Sequence, residues 1–112
     1  MQQDDVRAVL ERLAAGEPDL TVKGKKMPYL AVNGNMFAFV DPEAALCLRY
    51  AEADRAELAE EFGTGPVMQY GAVMRGYVAI PDAVIADETR LAELFAQCVA
   101  HARSLKPKPT KR

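Results

Sequence analysis

The chain is poor in the residues that carry most protein chemistry. Its 112 residues hold two cysteines, one histidine and no tryptophan. Cys47 and Cys98 lie far apart, and with His101 they match no zinc-site spacing. In a reducing compartment both are expected as free, buried thiols. Long hydrophobic runs are also missing. None approaches the roughly 18 residues that a membrane-spanning helix needs. The first residues, Met1-Gln2-Gln3-Asp4-Asp5, are acidic and lack an apolar segment, which argues against a secretory signal. The expected setting is the cytoplasm, with no membrane partner.

The scarcity extends to catalytic sets. Nucleophilic catalysis needs a nucleophile, a base and a group that orients the base. Cys98 and His101 are three apart on a predicted helix, but Cys98 falls in that helix's apolar stripe. A core thiol beside an edge histidine is the expected arrangement. His101 with Glu93 or Glu88 lacks a third metal ligand at a sensible spacing. The acid pairs Glu60-Glu61 and Asp87-Glu88 sit near predicted helix ends, where solvated carboxylates are the norm. Gly63-x-Gly65 follows a helix and precedes a proline, so it reads as a helix stop and not a phosphate loop. No enzyme and no cofactor are expected.

What is present is an ordinary globular balance. Half the residues are hydrophobic and 27% are charged. A chain of this length forms one domain and buries roughly two-thirds of its unfolded surface. The formal net charge is -2, unevenly spread. Lys106, Lys108, Lys111 and Arg112 crowd the last seven residues, leaving an acidic body. Residues 1–105 are expected as the single domain, and 106–112 as a basic, disordered tail with Pro107 and Pro109 preventing helix.

Periodicity predicts the elements. Val6, Val9, Leu10, Leu13 and Ala14 share one face of a helix from Asp4 to Ala15, capped by Asp4 or Asp5. Tyr29 to Val32 and Met36 to Val40 read as strands joined by Asn33-Gly34, a pair that tolerates the positive φ of a tight hairpin. Leu46 to Tyr50 is a third strand, with Leu46, Leu48 and Tyr50 on one face and Cys47 and Arg49 on the other. A middle helix runs from Ala53 to Phe62, with Asp54 and Glu57 at capping-box spacing. Val73 to Ile80 reads as one strand, with Val67 to Tyr70 as a short strand before it. The last helix runs from Asp87 to Leu105. The fold class is α+β: an antiparallel meander of about four to five strands, packed by an N-terminal, a middle and a long C-terminal helix.

Three features carry candidate binding chemistry. Arg49 and Arg75 each interrupt an apolar strand. On neighbouring strands they would hold an anion or a partner's carboxylate, and a small anionic-ligand or enzymatic site there is the alternative reading. Arg55, on the middle helix, is expected to be solvated. Lys23, Lys25 and Lys26, with the tail residues Lys106, Lys108, Lys111 and Arg112, are the candidate nucleic-acid contacts, though an acidic body is a poor match for a phosphate backbone. Phe37 and Phe39 are two apart and expected on one strand face. No basic residue is interleaved with them, so they read as core packing and not as a base-stacking platform.

The strand residues also carry a resemblance. Val32-Asn33-Gly34-Asn35-Met36-Phe37-Ala38 resembles the hairpin of the TfoX N-terminal domain family. Leu46-Cys47-Leu48-Arg49 resembles the family's next strand, and Asp54-Arg55-Ala56-Glu57-Leu58 the start of its middle helix. Met74-Arg75-Gly76-Tyr77-Val78-Ala79-Ile80-Pro81 is similar to its last strand, and Ala102-Arg103-Ser104-Leu105-Lys106-Pro107-Lys108 to its end. The likeness covers about Val22 to Lys108. Where the family often has a glycine-rich first strand, this chain has Pro28, which removes a backbone donor and predicts an edge strand or a late start. The resemblance implies a single α+β domain that is regulatory or interaction-mediating, with a protein partner and no established catalytic residues. The longer TfoX proteins regulate natural competence and carry a second domain. The family is also similar in shape to the MmcQ/YjbR-like group, for which DNA binding has been suggested.

Overall fold

The structure is a computed structural model that describes residues 2–65, 67–69 and 71–107, with only the backbone described at Gln69 and Ala72. Helix α1 spans Gln3–Ala15 and buries Val6, Val9, Leu10 and Ala14. It starts one residue before the expected Asp4. Gln2 is the cap, and the Asp5 carboxylate accepts from its backbone N–H at 2.9 Å.

Strands β1 (Tyr29–Val32), β2 (Asn35–Val40) and β3 (Leu46–Arg49) form the meander, joined by β6 (Tyr77–Ile80). The sheet order is β1-β2-β3-β6, antiparallel throughout. Asn33 and Gly34 take φ of 53° and 79°, the double positive φ that a tight hairpin requires. Pro28 lies just before β1, an edge strand, and its carbonyl accepts from the Val40 N–H at 2.9 Å.

Two strand expectations are corrected. Leu30 pairs with Ala38, but the next residue, Ala31, pairs with Met36. Phe37 is therefore the extra residue of a β-bulge, which breaks the period-two alternation. Phe37 joins the main core and tilts onto Phe95 with centroids 6.4 Å apart, whereas Phe39 faces the other side against Tyr77 at 5.0 Å. The two rings do not share a face. The run from Val73 to Ile80 is also not one strand. Ala72–Val73 (β5) pairs with Met68–Gln69 (β4) in a separate hairpin, and Met74 to Gly76 turn the chain before β6. Gly76, at φ 93°, allows that turn.

Helix α2 (Glu52–Phe62) begins one residue earlier than expected, and Ala51 caps it without a side-chain bond. It ends at Gly63, left-handed at φ 65°. A short α3 (Asp82–Ile85) was not legible beforehand. Asp87 caps α4 (Glu88–Ser104), accepting from the Arg90 N–H.

The main core lies between one sheet face and the helices. Leu30, Ala38, Val40, Leu46, Leu48, Val78 and Ile80 meet Leu10 of α1 and Leu94, Phe95 and Cys98 of α4. Each buried leucine or phenylalanine contributes roughly 1.5–3 kcal/mol. The opposite face has a smaller cluster of Phe39, Cys47, Tyr77 and Val67, edged by half-buried methionines. The end of the sheet formed by the close of β3 and the start of β6 lies beside the C-terminal turns of α4, and there the charged side chains converge.

Candidate anion-binding site

Arg49 closes β3 opposite Tyr77, the first residue of β6. Its Nη1 donates to the Met36 carbonyl at 3.4 Å, and the Tyr77 hydroxyl donates to the same oxygen at 2.9 Å. One carbonyl of β2 thus anchors both side chains. Tyr50 and Ala51 then lead directly into α2. This short junction brings Arg55 back over the strand end, where its Nη1 donates to the Tyr50 carbonyl at 3.0 Å. Arg75 lies in the turn before β6, exposed. The Gly76 carbonyl in that turn accepts from the Tyr50 N–H at 2.9 Å.

Gly76 shapes the site. A Cβ there would stand 3.4 Å from Cγ and Nε of Arg49 and 3.7 Å from Nη1 of Arg55. Both arginines thus lie in contact range of the turn. Arg49, Arg55 and Arg75, with Gly76, Glu52 and His101, line one open concavity of about 270 Å³. Arg49 and Arg75 therefore face a common space, although Arg75 reaches it from a turn and not from a strand. Arg55 is the residue sequence reasoning missed. It was expected to be solvated, yet it is half-buried and hydrogen-bonded. The usable signal was its place six residues past the arginine that ends β3, on the first turn of the helix that follows directly.

The electrostatics are uneven. Arg7 pairs with Glu11, Arg90 with Glu61, and Arg103 with Glu17 and Asp19. Among the described residues, Arg49, Arg55 and Arg75 make no ion pair, nor does the exposed Arg12 of α1. His101 reports the resulting field. Its pKa is lowered from 6.5 by partial burial first, then by Arg49, with Arg55 adding to the effect and Asp54 opposing it. The imidazole is therefore mostly neutral at pH 7.

Cys98 lies on the same helix but fully inside the core, where burial pushes its pKa up. Cys47 rises to about 12, chiefly through burial and also through Asp41. Both thiols stay protonated at neutral pH, which makes them poor nucleophiles. Among the described residues, no group of three His, Cys, Asp or Glu side chains is placed to hold a metal ion, and no helix is long and apolar enough to cross a membrane.

The lysines do not form one patch. Lys23, Lys25 and Lys26 are exposed just before β1, and Lys23 pairs with Tyr29 at the start of that strand. Lys106 is exposed at the opposite end of the β1–β2 hairpin, where its carbonyl accepts from the Asn35 side chain at 3.1 Å. Lys106 therefore belongs to the arginine end of the sheet. Lys108, Lys111 and Arg112 lie outside the described residues.

The sequence pattern of the TfoX N-terminal domain matches residues 21–102, most of the chain. The chain belongs to the TfoX N-terminal domain family. The match runs from the segment before β1 through most of α4, so it includes Arg49, Arg55, Arg75 and His101 of this TfoX N-terminal domain. Helix α1 and Lys106 fall outside it. No protein of curated function matches the chain.

Proposed function

We propose that this TfoX N-terminal domain is a non-enzymatic regulatory module of the cytoplasm that binds a protein partner by holding an anionic group of that partner against Arg49, Arg55 and Arg75. One observation carries the reading: three guanidinium groups without ion pairs among the described residues line a single concavity, while three of the other arginines are bound to acids. Guanidinium forks match the oxygens of carboxylates and phosphates, and each charge-assisted hydrogen bond contributes about 1.5–3 kcal/mol. An acidic body with one locally positive concavity suits selective anion recognition better than broad adhesion to polyanions.

The test is amide NMR mapping with acetate and with phosphate at constant ionic strength. The expected perturbations cluster at residues 49–55, 75–77 and 101–105 and vanish in the Arg49→Gln/Arg75→Gln variant. Uniform small shifts, or shifts that survive the double substitution, overturn the proposal.

A second reading, direct nucleic-acid binding, draws on the exposure of Lys23, Lys25 and Lys26. It requires salt-sensitive mobility shifts on duplex DNA that weaken when residues 106–112 are deleted. Binding indifferent to salt and to the tail removes it.

A further inference from the structure

The cationic concavity does not end at Arg75. Arg55, Arg75 and Gly76 also line a second concavity of about 410 Å³, whose remaining walls include Ala59, Val67, Val73, Met74 and Val78. The two share Arg55, Arg75 and Gly76 as a common border, and a groove crossing it runs from a positive side to an apolar one. Val73 and Met68, on the β4–β5 hairpin, are exposed at 53% and 51%, the large hydrophobic side chains left most open among the described residues. Exposed apolar surface beside unpaired cations calls for a partner carrying both an anion and an apolar group.

The charge balance narrows the anion. Three guanidinium groups share the wall with one carboxylate, Glu52, and the field of a second, Asp54, reaches His101. His101, held neutral by partial burial and by Arg49 and Arg55, adds no further charge at pH 7. About two uncompensated positive charges remain on that wall, and their nearness to apolar walls favours an anion that carries an apolar group, as the last residue of a chain does, over a bare phosphate. Both concavities are open to solvent, so an enclosed small molecule is a poor fit and a chain that continues outward is a good one.

We infer that the groove takes the free carboxyl terminus of a partner polypeptide. The terminal carboxylate sits against Arg49, Arg55 and Arg75, and an apolar last side chain sits between Ala59 and Val73. This rests on the anion reading above and names the anion.

Fluorescence anisotropy on the full chain tests it, with labelled short peptides ending in leucine, as free acid and as carboxamide. The free acid is expected to bind at least ten-fold more tightly than the amide. The preference is lost in Arg75→Gln, whereas Val73→Ser weakens the free acid but keeps its preference over the amide. Both substitutions fall on exposed side chains, so folding is retained. Equal binding of acid and amide overturns the inference. So does equal binding of a peptide ending in glycine, or of N-acetylleucine, which would make the ligand a free acid and not a chain end. If no peptide binds while acetate or phosphate still perturbs residues 49–55 and 75–77, the terminus inference falls and the anion reading stands. If no anion perturbs them, both fall.

Discussion

Tyr50 is buried, and its hydroxyl donates to the Leu94 carbonyl at 2.7 Å, tying β3's end to α4. That carbonyl retains its own helical partner, so Tyr50→Phe is expected to cost only about 1 kcal/mol in urea unfolding. Thr64 gives the opposite case. Its Oγ1 is buried without a hydrogen-bond partner among the described residues, so Thr64→Val is expected to leave stability unchanged or raise it by up to about 1 kcal/mol. Side-chain alternation placed Tyr50 correctly with Leu46 and Leu48. It carried no information on Leu94, which is 44 residues away. The misreading of Arg55 has the same origin. A helix position says which way a side chain leaves its helix, but not that a preceding strand's carbonyl lies within reach.

The elements themselves were largely legible, because their signals are local. Asn33-Gly34 located the hairpin, the apolar stripes located α1 and α4, and Asp87 marked the start of α4. Two features were not legible. The bulge at Phe37 depends on pairing with β1, since nothing within Met36-Phe37-Ala38 distinguishes a bulge from a regular strand. The break between β5 and β6 is carried by Gly76, inside a run that is apolar but for Arg75. Gly76→Ala is expected to cost about 1–3 kcal/mol, because its φ of 93° disfavours any Cβ. Gly65→Ala is the control. A Cβ there meets nothing within 4 Å, and the expected change is within about 0.5 kcal/mol. Equal costs in urea unfolding would show that the turn does not depend on glycine.

At the scale of the whole molecule, buried acids of high pKa set an alkaline limit. Burial pushes Cys47 and Tyr77 up to about 12, and raises Cys98 and Tyr50 as well. The unfolded chain releases these protons from about 9 for the thiols and 10 for the phenols, while the folded chain retains them. Their contribution is complete below pH 9 and is lost as pH climbs toward 12. Urea midpoints are expected to fall steadily across that range. A flat profile would contradict the burial of these groups. His101 acts in the other direction. Its lowered pKa means that stability declines as pH falls below 6.5 toward the folded value.

His101 also gives the most direct test, because it is the chain's one histidine and lies on the wall that Arg49, Arg55 and Arg75 share. Its NMR titration is measured with and without acetate or phosphate at constant ionic strength. The midpoint is expected below 6.5 in the free domain and higher once an anion offsets the arginine field. In Arg49→Gln it should start higher and no longer respond. A midpoint that saturating anion leaves in place would contradict the claim that this concavity recognises an anion.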